Sequence, residues 1–242
     1  MANLTQLKML EDLDGFLLVD KPVGIAFSTV VKTVKRKFNL VKVGHGGSLD
    51  AMASGLFILL VNDANKFVGD VMGADRAYTG KMRLGLRTNT HDVHGAKVDC
   101  PDAPTAACPD AGKMAAVLPE FKGDIFQTEP RFCSIRKEGS AEYEIADTGD
   151  HSQFLTHVYR FALGNPEGSA VPFEVSGTKS LLVRTLVNDF GEAFGCGAAL
   201  ESLRRVKIGK FSVEDAVPFD RLLETEMKDF ASCVMPLSAA LR

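Results

Sequence analysis

The stretch from Gly44 to Gly55, Gly-His-Gly-Gly-Ser-Leu-Asp-Ala-Met-Ala-Ser-Gly, constrains this chain more than any other. Its glycines allow a backbone to approach a neighbour closely or to take a positive φ, and the turn they form holds one histidine, His45, and one acid, Asp50. A mostly apolar run follows at once, Leu56 to Ala64, broken by Asn62 and Asp63. Leu56 to Val61 is predicted as a buried strand. An acid held on a tight loop at the edge of a buried element is well placed for chemistry. The plainer alternative is a polar turn in which Asp50 caps the next element.

The rest of the chain supplies the sheet and helices that such a strand needs. Gly15 to Val19 reads as a short strand stopped by Pro22 and Gly24. Ser28 is the expected cap of a helix whose Val30, Val31, Val34 and Phe38 share one face, while Lys32, Lys35, Arg36 and Lys37 occupy the others. A basic face without an acid is either a solvated surface or a phosphate contact. Ala64 to Met72 reads as a helix, and Tyr78 to Leu86 alternates as a half-buried strand. Thr88 to Gly95 is a polar turn; its His91, Asp92 and His94 lack the spacing of a common metal site. Cys100 to Gly112 is a surface connection, and Lys113 to Leu118 a short helix. Residues 123–149 lack periodicity and read as a long loop or hairpin-like insertion. Strands are predicted at Phe154 to Leu163, Val171 to Val175 and Leu200 to Ile208. A helix is marked by Leu186, Val187, Phe190 and Phe194 and closed by Gly195, and a terminal helix spans Phe219 to Phe230. One α+β domain over 1–242 fits best, with a mostly antiparallel sheet and packed helices.

Composition excludes several classes. The 242 residues carry a net charge of −3, so a polyanion would have to bind a local patch. No apolar run approaches the ~18 residues of a membrane span, and Met1 to Asp14 lacks the apolar segment of a secretory signal. Five cysteines, an odd number without a C-x-x-C pair, argue against a zinc site and a disulfide framework and for a reduced, cytoplasmic chain.

Several segments then fall into one order: Leu18-Val-Asp20-Lys21-Pro22-x-Gly24, Gly44-His45-x-Gly-x-Leu49-Asp50-x-x-Ala53-x-Gly55, Arg76-x-Tyr78, Arg83-Leu84-Gly85, Thr88-x-Thr90-x-Asp92, Phe121-x-Gly123, Val183-Arg184-Thr185 with Asp189-x-Gly191, and Leu203-Arg204-Arg205. This set resembles the TruB family of tRNA pseudouridine(55) synthases, from about Gly15 to Ala216. The resemblance implies the pseudouridine-synthase fold, a mixed sheet with flanking helices and an RNA-binding insertion at 123–149. It implies conversion of uridine to pseudouridine in the T-loop of tRNA without a metal or organic cofactor. It also implies roles: Asp50 is the essential aspartate, Arg184 its cationic partner, Tyr78 the platform for the flipped base, and His45 the group that enters the T-loop. Leu182 stands where the family has an aromatic and forms an apolar wall. Lys21 is grouped with the substrate-binding residues or else supports the loop, and RNA binding is expected to rest on the local basic groups Lys32, Lys35, Arg36, Arg204, Arg205 and Lys207.

The departures from the family pattern are Ala51 for the proline after the aspartate, Ile25-Ala26-Phe27 after Gly24, and altered residues from Glu129 to Arg136 and at Glu142-Tyr143. The first bears on the rigidity of the loop; the altered residues of the 123–149 insertion bear on affinity and substrate choice more than on chemistry. Only 26 residues follow Ala216, too few for the C-terminal PUA domain of many family members. The expected partner is therefore the T-arm of tRNA, engaged by a monomer with no metal and no membrane. Two alternatives remain at this stage: a synthase acting on another RNA stem-loop, and an RNA-binding tRNA-folding chaperone.

Overall fold

The computed structural model describes residues 13–98, 110–135, 144–147, 149 and 152–240. The first elements are β1 (Gly15–Lys21), α1 (Phe27–Lys37), β2 (Val43–His45), β3 (Ala53–Val61), a 3-10 segment (Asn62–Phe67) and α2 (Val68–Gly73). Next come β4 (Arg76–Leu84), α3 (Ala111–Val117), β5 (Gly123–Gln127), β6 (Phe132–Ile135), β7 (Glu144–Asp147), β8 (Phe154–Leu163), β9 (Ala170–Gly177) and α4 (Val183–Phe194). The chain ends with β10 (Ala198–Ile208), β11 (Phe211–Ser212), β12 (Val217–Pro218), α5 (Phe219–Glu224), β13 (Met235–Pro236) and α6 (Leu237–Ala240). The expected readings of Met1 to Leu13, most of Cys100 to Gly112 and the charged middle of the insertion at 136–143 fall largely outside the described residues. No described helix is long and apolar enough to cross a membrane.

The chain divides into two compact units, residues 1–74 with 205–242 and residues 75–204. In the first, β1 pairs antiparallel with β3 from Gly15↔Val61 to Lys21↔Gly55, and parallel with β12 at Val19↔Val217. β2 pairs with β3, and β13 with β1. The mixture of parallel and antiparallel ladders is the mixed sheet expected of an α+β chain. β3 reads as an unbroken apolar run because both of its faces are buried. Leu56, Ile58 and Leu60 join Phe16, Leu18, Val71 and Ile208 in one core cluster. Phe57 and Leu59 alternate to the other face, where Phe57 meets Phe27 at the start of α1 at 6.1 Å.

In the second unit the sheet runs β4-β9-β8-β5, antiparallel throughout, with a bulge in β8 between Val158 and Arg160. Part of the segment expected as a loop is thus an edge strand, Gly123–Gln127, and the remainder pairs β6 with β7 from Phe132↔Asp147 to Ile135↔Glu144. Val183–Phe194 is a helix closed by Gly195 at φ 90°, so Arg184 lies in its first turn. β10 carries the chain from the second unit back to the first.

Three predicted elements differ. Ala26, not Ser28, caps α1: the Ala26 carbonyl accepts from Thr29 and Val30, which draws Ser28 into the first turn. The helix expected at Ala64 to Met72 opens as a 3-10 turn because the Asn65 side chain donates to the carbonyls of Leu60 and Asn62. The terminal helix stops at Glu224, where Thr225 turns its backbone to an extended ψ and returns both its N–H and its hydroxyl to Arg221 O.

Candidate active site

The loop from Gly46 to Met52 joins β2 to β3 and is held from several sides. Gly46 N donates to Ile58 O at 2.9 Å, Gly24 N to Ala51 O at 2.7 Å, and Ala53 N to Asp50 O at 3.1 Å. Leu49, Ala51 and Met52 are buried beneath it, and Asp50 between them faces solvent. The bond from Gly24 fixes the backbone at Ala51, the position where the family pattern has proline. At Gly55 φ is 101°, and a Cβ would lie 2.2 Å from Arg205 O, so both conformation and space demand glycine.

Two buried cations surround this loop. Lys21 is fully buried at the end of β1, and its Nζ donates to Pro22 O and Ile25 O at 2.9 Å. Burial lowers its pKa to about 8, against an upward pull from the Asp50 carboxylate and a downward push from Arg205. Arg205, read from the sequence as an RNA contact, is instead 1% exposed. Its Nη1 donates to Ser48 O and its Nε to Leu56 O, both at 2.8 Å, so it spans the loop from Ser48 to the strand behind it. Strand alternation gave no hint of this, because a charged residue on a buried face looks like any other break in the apolar pattern. His45 packs between Phe27 at 5.2 Å and Phe57 at 5.9 Å and accepts from Gly47 N at Nδ1. Burial, then the charge of Arg205, lowers its pKa. Asp50 therefore shares the first unit with Lys21, His45 and Arg205.

Tyr78, Leu182, Arg184 and Arg204 belong to the second unit. Tyr78 is buried in β4. Arg184, 17% exposed in its side chain, lies 3.7 Å from the carboxylate of Asp92, itself 1% exposed, and donates to Thr90 O at 3.2 Å. Asp92 is held in turn: Oδ1 accepts from His94 N, and its carbonyl accepts from the Thr88 hydroxyl. The polar turn at 88–95 is thus a buried support for an arginine. Leu182 is fixed through its backbone, its N–H donating to Gln127 Oε1 and its carbonyl accepting from Gln127 Nε2, both at 3.0 Å. Sequence reasoning missed Gln127, since a lone glutamine in a poorly periodic segment carries no signal. Arg204 is half-buried on β10.

Comparison with known proteins gives this arrangement a family. A model described as the N-terminal domain of TruB family pseudouridylate synthases matches residues 35–181. The chain belongs to the TruB family. A second model, the tRNA pseudouridylate synthase B C-terminal domain, matches residues 184–242. The chain is 38% identical over 232 residues to tRNA pseudouridine synthase B of Burkholderia pseudomallei (strain 668), covering 95% of this chain and 76% of that protein. It is 34% identical over 229 residues to tRNA pseudouridine synthase B of Aromatoleum aromaticum, covering 93% and 73%. Among solved structures, the Cbf5-Nop10-Gar1 complex aligns with a TM-score of 0.70 at 25% identity, over 97% of this chain and 63% of that one. An H/ACA RNP bound to a substrate RNA containing 2′-deoxyuridine aligns with a TM-score of 0.67 at 26% identity, over 97% and 62%. This TruB-family chain thus has the pseudouridine-synthase fold and spans under two thirds of those structural relatives.

Proposed function

We infer that this chain binds tRNA and converts uridine to pseudouridine, with the target in the T-loop at position 55. The observation that carries the reading is an exposed carboxylate, Asp50, on a loop whose neighbouring side chains are buried and whose backbone is bonded on both sides. In the reaction the bond from C1′ to uracil N1 breaks, the uracil turns, and a bond from C1′ to C5 forms while the C5 proton is given up and N1 gains one. Asp50 acts at the sugar and on the proton, as nucleophile or base, since a carboxylate forms and loses an ester readily. Tyr78 provides the face on which the extruded uracil stacks, which offsets part of the stacking lost in the RNA. Arg184 supplies the cationic support for the aspartate, and Asp92 and Thr90 fix its direction. His45 enters the RNA loop as a flat, mostly neutral ring, and Leu182 forms an apolar wall. Lys21 and Arg205 hold the loop, and Arg204 contributes to RNA binding.

We take residues 1–242 as one catalytic domain, because the chain leaves the first unit once and returns to it to finish its sheet. We place the protein in the cytoplasm as a monomer that needs no metal or organic cofactor. Its described free cysteines, Cys196 and Cys233, are consistent with a reducing compartment.

The test is to incubate the protein with unmodified tRNA and map pseudouridine by carbodiimide labelling and primer extension. A stop at the T-loop uridine is expected with wild type and absent with Asp50→Ala, whose melting temperature should stay within a few degrees because Asp50 is exposed. Product on another stem-loop and none on tRNA would redirect the substrate assignment. Equal refolding of tRNA by both proteins without product would leave a chaperone.

A further inference from the structure

The residues from Phe27 to Lys42 carry a concentration of charge that the chemistry at Asp50 does not use. They hold Lys32, Lys35, Arg36, Lys37 and Lys42 and no acid. This stretch is +5 in a chain of net charge −3, so the rest of the molecule carries −8. Val30 and Val34 turn one face of α1 inward. Lys32, Lys35 and Arg36, spaced i, i+3 and i+4, are therefore neighbours on one exposed strip. Among the described residues, Lys35 and Arg36 enter no ion pair.

Helix stability explains only part of this pattern. Lys35, Arg36 and Lys37 lie in the last turn, where cations favour the helix dipole. The same dipole would favour an acid in the first turn, and α1 has none. Lys32 lies in mid-helix and Lys42 beyond its end, outside the reach of that effect. The strip's position is informative as well. Phe27, the first residue of α1, packs against His45 at 5.2 Å, which ties the start of the helix to the loop that presents Asp50. At the other end Phe38 stacks on Phe230 at 3.8 Å, so the helix is pinned at both ends. Its 11 residues rise about 16 Å at roughly 1.5 Å each. Duplex nucleic acid presents about one negative charge per 1.7 Å of axis, so a stem beside this helix has phosphates along its whole length.

We propose that the exposed strip of α1, Lys32, Lys35 and Arg36 with Lys42 beyond, is a phosphate track for the duplex stem of the substrate RNA whose loop is engaged at His45 and Asp50. This rests on the reading of the chain as an enzyme acting on RNA. A chain that is otherwise acidic repels RNA elsewhere, so a local track concentrates both affinity and orientation on the face leading into the loop.

The test compares wild type with Lys32→Gln/Lys35→Gln/Arg36→Gln on an unmodified tRNA transcript and on an isolated T-arm hairpin, measuring Kd by fluorescence anisotropy from about 50 to 300 mM KCl. Loss of three phosphate contacts should lower the slope of log affinity against log salt by about 2–3 and weaken binding about tenfold or more at the low-salt end, on both RNAs. The loss should fall on KM rather than kcat. Lys32→Gln alone, outside the last turn, should lower the slope by about 1, and Lys32→Arg/Lys35→Arg should keep the wild-type slope. An unchanged slope overturns the proposal, and so does a loss confined to full-length tRNA, which moves the contact off the stem. Loss of binding to phosphatidylserine vesicles with an unchanged RNA slope assigns the strip to a membrane surface instead. Should wild type form no pseudouridine while the slopes still differ as expected, the reaction assigned above fails and the track stands.

Discussion

His91 adopts φ 61° in the turn that carries Asp92, and burial together with the Arg184 charge lowers its pKa to about 4. In the unfolded chain the ring takes up its proton near pH 6.5. Between these values the unfolded state binds more protons than the folded one, so stability falls as pH drops from about 6.5 to 4 and levels off below. The whole effect is at most about 3 kcal/mol. His91→Asn, which tolerates the left-handed backbone, should lose less melting temperature than wild type between pH 7 and 4.5 in calorimetry. Arg205 makes a second prediction. Arg205→Met removes donors from Ser48 O and Leu56 O and should cost about 2–4 kcal/mol, read as a fall in melting temperature and in kcat. Its salt slope for RNA should match wild type, the reverse of the pattern expected for the α1 strip; a lowered slope would restore Arg205 as a phosphate contact.

Among the elements, the start of α4 is tied to β5 through the buried Gln127 side chain, with the Thr185 hydroxyl donating to Thr128 O beside it. Gln127→Ala leaves the Leu182 N–H without its acceptor and removes one of the two donors to the Leu182 carbonyl, which keeps the bond from Leu186 N; it should destabilise the protein by about 1–3 kcal/mol, seen as a lower urea midpoint at unchanged m-value. Activity should fall as the wall at Leu182 loosens. The elements also show where the sequence was legible. β8 spans Phe154–Leu163 as its pattern predicts, and Gly195 ends α4 in the left-handed conformation expected of it. These succeed because local periodicity and one glycine decide them. The 3-10 turn after β3 and the early stop at Thr225 depend instead on side chains bonding back to nearby carbonyls, which hydrophobic periodicity does not register. The support of Arg184 by Asp92 was hidden for a different reason: it joins residues 92 positions apart, and only the fold brings them within 3.7 Å.

At the scale of the whole molecule, the proposed reaction is an isomerisation without net oxidation or reduction, and we expect it to run on side chains alone. Pseudouridine yield on a pre-folded T-arm hairpin should therefore survive dialysis of the protein against EDTA; a loss restored by one divalent metal would overturn that view. The order of family motifs along the chain made the fold and the reaction readable, because each motif marks a place where backbone and ligand constrain the residue type. It did not reveal that Lys21 and Arg205 are interior, since a motif records identity and not burial.

The brace on the Asp50 loop has a consequence in time. Ser48 and Arg205 are separated by 157 positions. At synthesis rates of roughly 5–20 residues per second, some 8–30 s pass between their appearance on a ribosome. During that interval the loop has its glycines, its acid and the early bonds to Gly24 and Ile58, but not the bond from Arg205 to Ser48 O. The last brace of this loop is thus completed only late in translation, with the return of the chain through β10.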